Sequence, residues 1–546
     1  MKRTDNDESS LSWLVFLLGC ALIMSAPLFY ALYSGTAIAG DDYLFHLTRL
    51  ENLARSFSDG VFPPRVYAGE PTPWGVPTGA FYPSLGLWPP ALLRAIGAPL
   101  TAVTNLCVIA MFLTAALCAW SAFRLLGQPP RLAFTGAVMY LSLFYFPINA
   151  YIRFDLGETA ALAFLPLAMA AIWQAFREGL TGGELAAGVF AITGVAQSHI
   201  LSLCLLAVFA AAVLILQIYR LRQPAVRHAV LGLAGIPLLL NLWFYVPFLV
   251  FYRTVPVKIK ETFDVFLQSG WPLPLLKDIL LRWSPGAAIF LLGALLYIVI
   301  DRDKKALRAA GALLLGVLAL LLATDLFPWP AIVAAWPKIK FIQFPYRFLI
   351  LGATALALAA GYGCCRFTER MGWNAWQTGV AALFLCGLHI NGFVLTSDLA
   401  PGHRLAFSPW QSAWTGSNID YLYRDADVDA LRARGGDIRT RATVSLIEKD
   451  SARLSFRYHA ERDESAELPF VLYPNLTARD NIGRDLPLTA GENHLATLTL
   501  PAGDSAVTAG YRETPLFFVA DAISFFTLLS CLAWAIHRGL HALLGH

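Results

Sequence analysis

The sequence predicts an α-helical polytopic membrane protein of about 12 transmembrane helices, with a small β-sandwich domain before the last helix. Three observations lead there. Of the 546 residues, 57% are hydrophobic, and the mean hydropathy is +0.57. Only 14% are charged, against roughly 25% in ordinary soluble domains. Apolar runs of bilayer-spanning length recur along the chain, and one long stretch, 398–514, breaks the pattern with polar/apolar alternation. A soluble fold has no need of so much apolar surface, whereas lipid accepts it. The 36 Phe, 19 Tyr and 15 Trp suit bilayer interiors and interfaces. A net charge of +4 is too weak to point to nucleic acid.

The first apolar run, 11–33, is too long for a signal-peptide core and reads as a retained first span. Further spans are expected at 99–123, 132–151, 158–176, 183–198, 200–219, 229–251, 285–301, 306–323, 346–364, 376–397 and 515–536. The fifth and sixth runs are either two short halves broken at Gln197-Ser198-His199 or one long bent helix. Segment 83–97 is apolar but carries Pro83, Pro89, Pro90 and Arg94, so it reads as a re-entrant or interfacial helix. All eight cysteines lie in or beside apolar runs, with no disulfide framework and no CxxC metal spacing. Cys364-Cys365 reads as a pair of small helix residues near the cytoplasmic face.

Charge in the connections sets the orientation. With a cytoplasmic N-terminus, the inside loops hold Arg124 and Arg131, Arg177, Arg220, Arg222 and Arg227, then Arg302, Lys304, Lys305 and Arg308, then Arg366, Arg370 and Arg538. Short loops rich in Lys and Arg stay on the cytoplasmic side. The long connections 34–98, 252–284, 324–345 and 398–514 then fall outside, and the C-terminus is cytoplasmic. In 398–514 the alternation is clear at 442–447, 453–458, 466–472, 494–500 and 505–511. Turn sequences such as Tyr473-Pro474-Asn475 and Pro501-Ala502-Gly503-Asp504 separate these runs, as in a small sandwich. Asn475-Leu476-Thr477 is a glycosylation triplet by pattern alone.

The first outside loop carries the densest chemistry. From Tyr43 to Phe57 apolar residues recur at helical spacing, which predicts an amphipathic helix along the membrane surface. Asp42, His46 and Arg49 fall at i, i+4 and i+7 on one face. A carboxylate beside an imidazole can act as a general base with a positioning partner. Asp41, Asp42 and His46 can equally form part of a divalent-cation site. The plain alternative is a helix cap, where the N-terminal dipole favours a carboxylate. One acid suffices for a cap, and the second is left unexplained. The Pro- and Gly-rich path through Arg65 to Pro83 either lines a cavity or is an ordered surface loop.

Three further polar sites face the same side. Arg153 can meet a phosphate, while Asp155 or Glu158 serves as a cap for the next helix. His199 is either a packing residue or a lining group of a polar cavity. Lys340 and Arg347 either snorkel to headgroups or meet a lipid phosphate.

The order Asp42…His46…Arg49, Gly60…Pro63-Pro64-Arg65, Phe81-Tyr82-Pro83, Arg153…Gly157-Glu158, Ser198-His199 and Phe344-Pro345-Tyr346-Arg347-Phe348 resembles the GT-C superfamily of membrane glycosyltransferases. Within it the chain looks like the bacterial "6-pyruvoyl-tetrahydropterin synthase related" membrane proteins, whose relatives glycosylate lipoteichoic acid. Nothing in the residues suggests pterin chemistry. The resemblance extends to Leu472-Tyr473-Pro474-Asn475 and Leu500-Pro501-Ala502-Gly503 and covers most of the chain.

The resemblance implies a GT-C-like transmembrane domain at 1–397, a β-rich extracytoplasmic domain at 398–514, and a final helix with a cytoplasmic tail at 515–546. It implies an inverting sugar transfer from a polyprenyl-phosphate donor such as an undecaprenyl-phosphate sugar, in a bacterial inner membrane. The acceptor would be a cell-envelope polysaccharide, lipid or protein. Asp41 or Asp42 is then the catalytic base, and His46, Arg49, Arg65, Arg153, Glu158, His199, Lys340 and Arg347 are candidates for the donor phosphate and cavity. A divalent cation, Mg or Mn, is left open. The expected partners are the donor, the acceptor and membrane lipids, with the chain a monomer. Two competing classes are a transporter or flippase of a lipid-linked saccharide, and a non-catalytic envelope-assembly protein on the same fold.

Overall fold

A computed structural model describes residues 10–36, 38, 40–69, 72–258, 266–396 and 419–544. The chain divides into two compact units. The first comprises Met1–Tyr43, Thr101–Pro237 and Thr262–Phe407, and the second Leu44–Leu100, Leu238–Glu261 and Ser408–His546.

The chain opens with α1 (Ser10–Met24) and α2 (Ala26–Ser34), a broken span kinked by 53° at Ser25 ahead of Pro27. Next come α3 (Tyr43–Ser58) and α4 (Trp88–Ala95), both belonging to the second unit from Leu44 on. The first unit resumes with α5 (Leu100–Leu125) and α6 (Pro130–Ser142). After a short break the chain continues helically over Tyr145–Arg153, the last six residues forming a π-helical turn. α7 (Leu156–Glu178) begins where the Asp155 carboxylate accepts from the Glu158 N–H at 2.9 Å. α8 (Gly182–Ala196) opens on a capping box made by Thr181 and Glu184. The break at Gln197-Ser198-His199 separates it from α9 (Ile200–Gln217), so the two-halves alternative is the one realised. Then follow α10 (Pro224–Leu240), α11 (Leu242–Thr254), α12 (Pro285–Asp301), α13 (Lys304–Ala323), α14 (Leu349–Arg370), α15 (Ala375–Thr396) and, after the β domain, α16 (Pro515–Leu544).

Every expected span coincides with one of these helices or broken pairs. Among the described residues seven helices are long and apolar enough to cross a bilayer alone, and pairing the interrupted ones raises the number to as many as ten. Two shorter apolar helices, Gly182–Ala196 and Ala288–Asp301, occupy the fifth and eighth expected runs. The helices of the first unit meet through small residues. A Cβ on Gly361 of α14 would come within 2.4 Å of the Gly136 Cα of α6, and Thr135 Oγ1 donates to the Gly361 carbonyl at 2.8 Å. In lipid, this close backbone approach supplies the packing that the hydrophobic effect cannot.

In the second unit α3 differs from the amphipathic surface helix expected. Leu47, Leu50 and Leu53 are buried, but so are His46, Arg49, Asn52 and Ser56 on the polar side. Arg49 Nη1 lies 3.1 Å from His46 Nδ1, and Asn52 donates to the Thr48 carbonyl at 3.0 Å. The sandwich lies in this unit too. One antiparallel sheet has the order β1 (Arg439–Thr440), β4 (Glu464–Val471), β7 (Leu495–Leu500), β6 (Thr489–Ala490), and the other β2 (Thr443–Lys449), β3 (Arg453–Ala460), β8 (Gly503–Tyr511), β5 (Leu476–Asp480). Alternate residues of β3, Leu454, Phe456, Tyr458 and Ala460, are buried against Leu468, Phe470 and Val507. Asn475, the acceptor of the glycosylation triplet, is buried at 2% exposure. The expected first part of the domain, 398–418, lies outside the described residues.

Candidate active site: two buried arginines around Glu158

The site lies in the first unit and grows from the turn that joins α6 to α7. The π-helical turn ends at Phe154, which takes a left-handed φ of 53°. That reversal exposes the carbonyls of Ile152 and Arg153 to the start of the first loop. Asp41 N–H donates to Ile152 O at 3.1 Å, and Asp42 N–H donates to Arg153 O at 2.8 Å. Gly40 makes this approach possible, because a Cβ there would sit 2.5 Å from Phe154 Cβ and 2.6 Å from Ile152 O. The two acids are thus fixed by backbone, and their side chains differ. Asp41 is exposed, while the Asp42 side chain is 37% exposed and lies 3.9 Å from Arg153 Nη2. Burial pushes the Asp42 carboxyl up to about 7, with the negative charge of Asp155 acting the same way and Arg153 and Arg347 opposing it.

Behind Asp42 stands a closed network. Arg153 Nη1 donates to Glu158 Oε2 at 2.9 Å and to Asn149 Oδ1 at 2.5 Å, and Nη2 pairs with Asp155 Oδ2 at 3.1 Å. Arg347, just before α14, donates from Nε to the same Glu158 Oε2 at 3.0 Å. Tyr145 OH donates to the other Glu158 oxygen at 2.5 Å. Glu158 is fully buried, as is most of each guanidinium. A buried carboxylate holding two cations is strongly ordered, since losing any member strands a charge. Arg347 also donates to the Ile342 carbonyl at 3.2 Å and to the Gln343 side chain. The Phe344 ring lies 4.9 Å from the Arg347 guanidinium and 5.9 Å from that of Arg153. Arg347 is therefore not a headgroup snorkel. Lys340 is half-buried in the 3₁₀ turn Pro337–Ile342 ahead of it.

His199, at the break before α9, is buried, and its Nδ1 lies 2.9 Å from Ser202 Oγ. Ligand atoms of Asp155, Glu158 and His199 all lie within 4.8 Å of one another. Among the described residues this trio has metal-site spacing, rather than Asp41, Asp42 and His46. Asp41 points to solvent, and His46 is occupied by Arg49. Asp155, Glu158 and His199 are ligand types that could hold a divalent cation, and the oxygens of the two carboxylates here bond Arg153, Arg347, Tyr145 and the Glu158 N–H.

Three expected residues sit in the second unit with partners of their own. Arg49 Nη1 lies 3.1 Å from His46 Nδ1, Nη2 donates to Pro83 O at 2.8 Å, and the guanidinium stacks 3.9 Å over the Tyr82 ring. Arg65 pairs with Asp521 at 2.7 Å and Glu513 at 3.2 Å and donates to the Trp243 carbonyl at 2.5 Å. Sequence reasoning did not include Tyr145 and Asn149, and it assigned Asp155 only a cap. Asp155 is a cap, and its second oxygen also holds Arg153. The spacing Tyr145, Asn149, Arg153 at i, i+4, i+8 before an acidic helix start was the available signal.

No family model and no curated protein matches the sequence. Among solved structures, the chain is similar to ArnT from Cupriavidus metallidurans bound to undecaprenyl phosphate, with a TM-score of 0.40 and 15% identity over 70% of this chain and 65% of that one. It is also similar to the Archaeoglobus fulgidus oligosaccharyltransferase in complex with Zn and sulfate, with a TM-score of 0.35 and 16% identity over 69% of this chain and 52% of that one. The matched part thus spans just under two-thirds of the first and about half of the second.

Proposed function

We propose that the protein is a membrane glycosyltransferase that moves a sugar, with inversion, from a polyprenyl-phosphate carrier to a cell-envelope acceptor on the extracytoplasmic side. One observation carries the reading. A half-exposed carboxylate, Asp42, is pinned by its own backbone beside Arg153, in the same cluster as Arg347. The donor class follows from the motif order, and the side from the Lys- and Arg-rich short loops.

In the transfer, the acceptor hydroxyl oxygen forms a bond to the anomeric carbon as that carbon's bond to the phosphate oxygen breaks. The hydroxyl proton passes to the Asp42 carboxylate. The bonding pair leaves with the polyprenyl phosphate, whose growing charge is stabilised by Arg153 and Arg347. A carboxylate whose pKa is raised to about 7 is a stronger base than one in water. Glu158 acts through the arginines. It touches neither sugar nor acceptor and fixes both guanidiniums in place. A divalent cation held by Asp155, Glu158 and His199 would add positive charge for the incoming phosphate. His46, Arg49 and Arg65 hold α3 and the loop after it.

The test is Asp41→Asn and Asp42→Asn, singly and together, assayed for sugar transfer from a polyprenyl-phosphate sugar in liposomes. Asp42→Asn is expected to lose about 10²–10⁴-fold in rate, the usual worth of a general base, and Asp41→Asn to stay near wild type. Full activity in Asp42→Asn would sink the reading. A second reading, transport of a lipid-linked saccharide, is favoured by the interrupted spans at Ser25, at Leu143-Phe144 and at Gln197-Ser198-His199. Movement of intact donor across the liposome membrane without transfer would select it.

A further inference from the structure

The second unit carries a groove in its β domain. It measures about 630 Å³ and is lined by residues of β5, by the segments on either side of that strand, and by Thr254 at the end of α11. Ligand sites commonly measure roughly 300–1,000 Å³. Tyr423, Leu476, Leu486 and Leu488 give the groove apolar surface, and Thr477, Arg479 and Asp485 give it hydrogen-bonding groups of both kinds.

The wall at Tyr423 is fixed in advance of any ligand. Its ring stacks between those of Tyr473, at 5.7 Å and 5°, and His494, at 3.9 Å and 11°. Its hydroxyl donates to the Leu472 carbonyl at 3.0 Å. His494 is held in turn by Asp425, whose Oδ1 lies 2.8 Å from Nε2. Asn493 and His494 take left-handed φ values of 52° and 60° in succession. Such a backbone is costly for residues with a Cβ, and strain of this kind gathers at ligand sites. A wall ordered beforehand spares the ligand the cost of ordering it.

The lining selects among ligands by charge and by hydrogen bonding. Arg479 Nε donates to Asp485 Oδ1 at 2.7 Å, so the basic group of the groove already has its counter-charge. A phosphate or carboxylate gains little from a guanidinium neutralised in this way. The pair is solvent-exposed at 45% and 75%, so it is weak and can rearrange around a ligand. Arg479 then has further N–H groups to donate, and Asp485 a further oxygen to accept. An acyl chain would leave those groups unused. A peptide cannot add to β5 as a further strand, because Leu486 N–H donates to Ala478 O at 2.8 Å and Asp480 N–H to Arg484 O at 3.0 Å along that edge. A neutral sugar ring meets every condition. Its hydroxyls both donate and accept, and its C–H faces are apolar.

We propose that this groove binds a neutral saccharide and that the transferase's acceptor is therefore a glycan, the second step resting on the transferase reading above. The test is saturation-transfer NMR on the purified full chain in a sugar-free detergent. The probes are hexasaccharides of glucose, galactose, mannose and N-acetylglucosamine, with hexagalacturonate and an acetylated hexapeptide for the anionic and peptide alternatives. At least one neutral hexasaccharide is expected to bind. Leu486→Trp, which fills the groove, and the double variant Arg479→Ala with Asp485→Ala should each weaken it at least ten-fold. Arg441→Ala, on the exposed link between β1 and β2, should leave it within two-fold. Absence of neutral-saccharide binding to the wild-type chain, unchanged binding in both groove variants, or preference of the groove for hexagalacturonate or the peptide would each overturn the proposal. In the transfer assay the groove variants should raise the acceptor KM at least ten-fold and keep kcat within two-fold. An unchanged acceptor KM would overturn the acceptor assignment. Asp42→Asn should bind the hexasaccharide as wild type does. If that variant also transfers sugar at the wild-type rate while the groove variants still lose the hexasaccharide, the groove stands and the transferase reading falls.

Discussion

At the scale of single residues, the proposed transfer turns on which of two adjacent acids faces the arginine cluster. Asp41 and Asp42 are equivalent in sequence, both at the head of α3. Only the fold turns one toward Arg153 and Asp155. Asp42 must be ionised to take a proton, and burial raises its pKa to about 7. The kcat/KM for transfer should therefore rise with pH and level off above about 7, and Asp42→Asn should lack that acid limb. A profile with its limb near 4 would show that Asp42 is not the titrating base. Glu158 gives the second prediction. Glu158→Gln leaves Arg153 and Arg347 buried without their shared carboxylate, and breaking a buried ion pair costs about 3–5 kcal/mol. A thermal melt of the purified variant should fall accordingly, and a midpoint unchanged from wild type would refute the network's role.

At the scale of elements, local rules account for most boundaries. Asp155, Thr181 and Asp303 cap the helices they precede, and each is recognisable in sequence as an oxygen-bearing residue before an apolar run. Of the sandwich strands, β3 alternates in burial as its sequence does, whereas β1, β5 and β6 lie outside the runs read from the sequence. The surface helix was legible as a helix and misjudged in its exposure. His46, Arg49 and Asn52 of its polar stripe find internal partners, and partners are not visible in a hydropathy pattern. The loop that delivers Asp42 gives the third prediction. Gly40→Ala places a methyl 2.5 Å from Phe154 Cβ, so the loop must lift from the turn it is bonded to. Transfer should drop about ten-fold or more, the order of loss expected for a displaced catalytic group. The melting midpoint should move little, since the strain falls on a loop. A Gly40→Ala enzyme with wild-type activity would show that the docking is dispensable.

At the scale of the whole molecule, orientation rests on an asymmetry of charge. Lys305 lies at the start of α13 in a cluster of four basic residues, and Glu461 lies in the turn between β3 and β4. Both are exposed. In a chain with its other reactive cysteines replaced, Glu461→Cys should react with a membrane-impermeant maleimide in intact spheroplasts, and Lys305→Cys only after permeabilisation. The reverse pattern would place the acidic pair on the cytosolic leaflet and end the proposed mechanism.

Although the breaks at Ser25, at Leu143-Phe144 and at Asn241 were not visible in it, the sequence by itself determined that this chain is built of apolar helices of bilayer length and that a two-sheet β region precedes the last one. Those features depend on run length and on periods of two or 3.6, which are properties of neighbouring residues. The tertiary structure alone decided which charges meet. Arg153 and Glu158 meet within one turn, but Asp42 and Arg347 lie far from that turn in the chain, and nothing local brings them to it. Their pairing follows from the cost of burying a charge, which only a partner brought in from another element can offset.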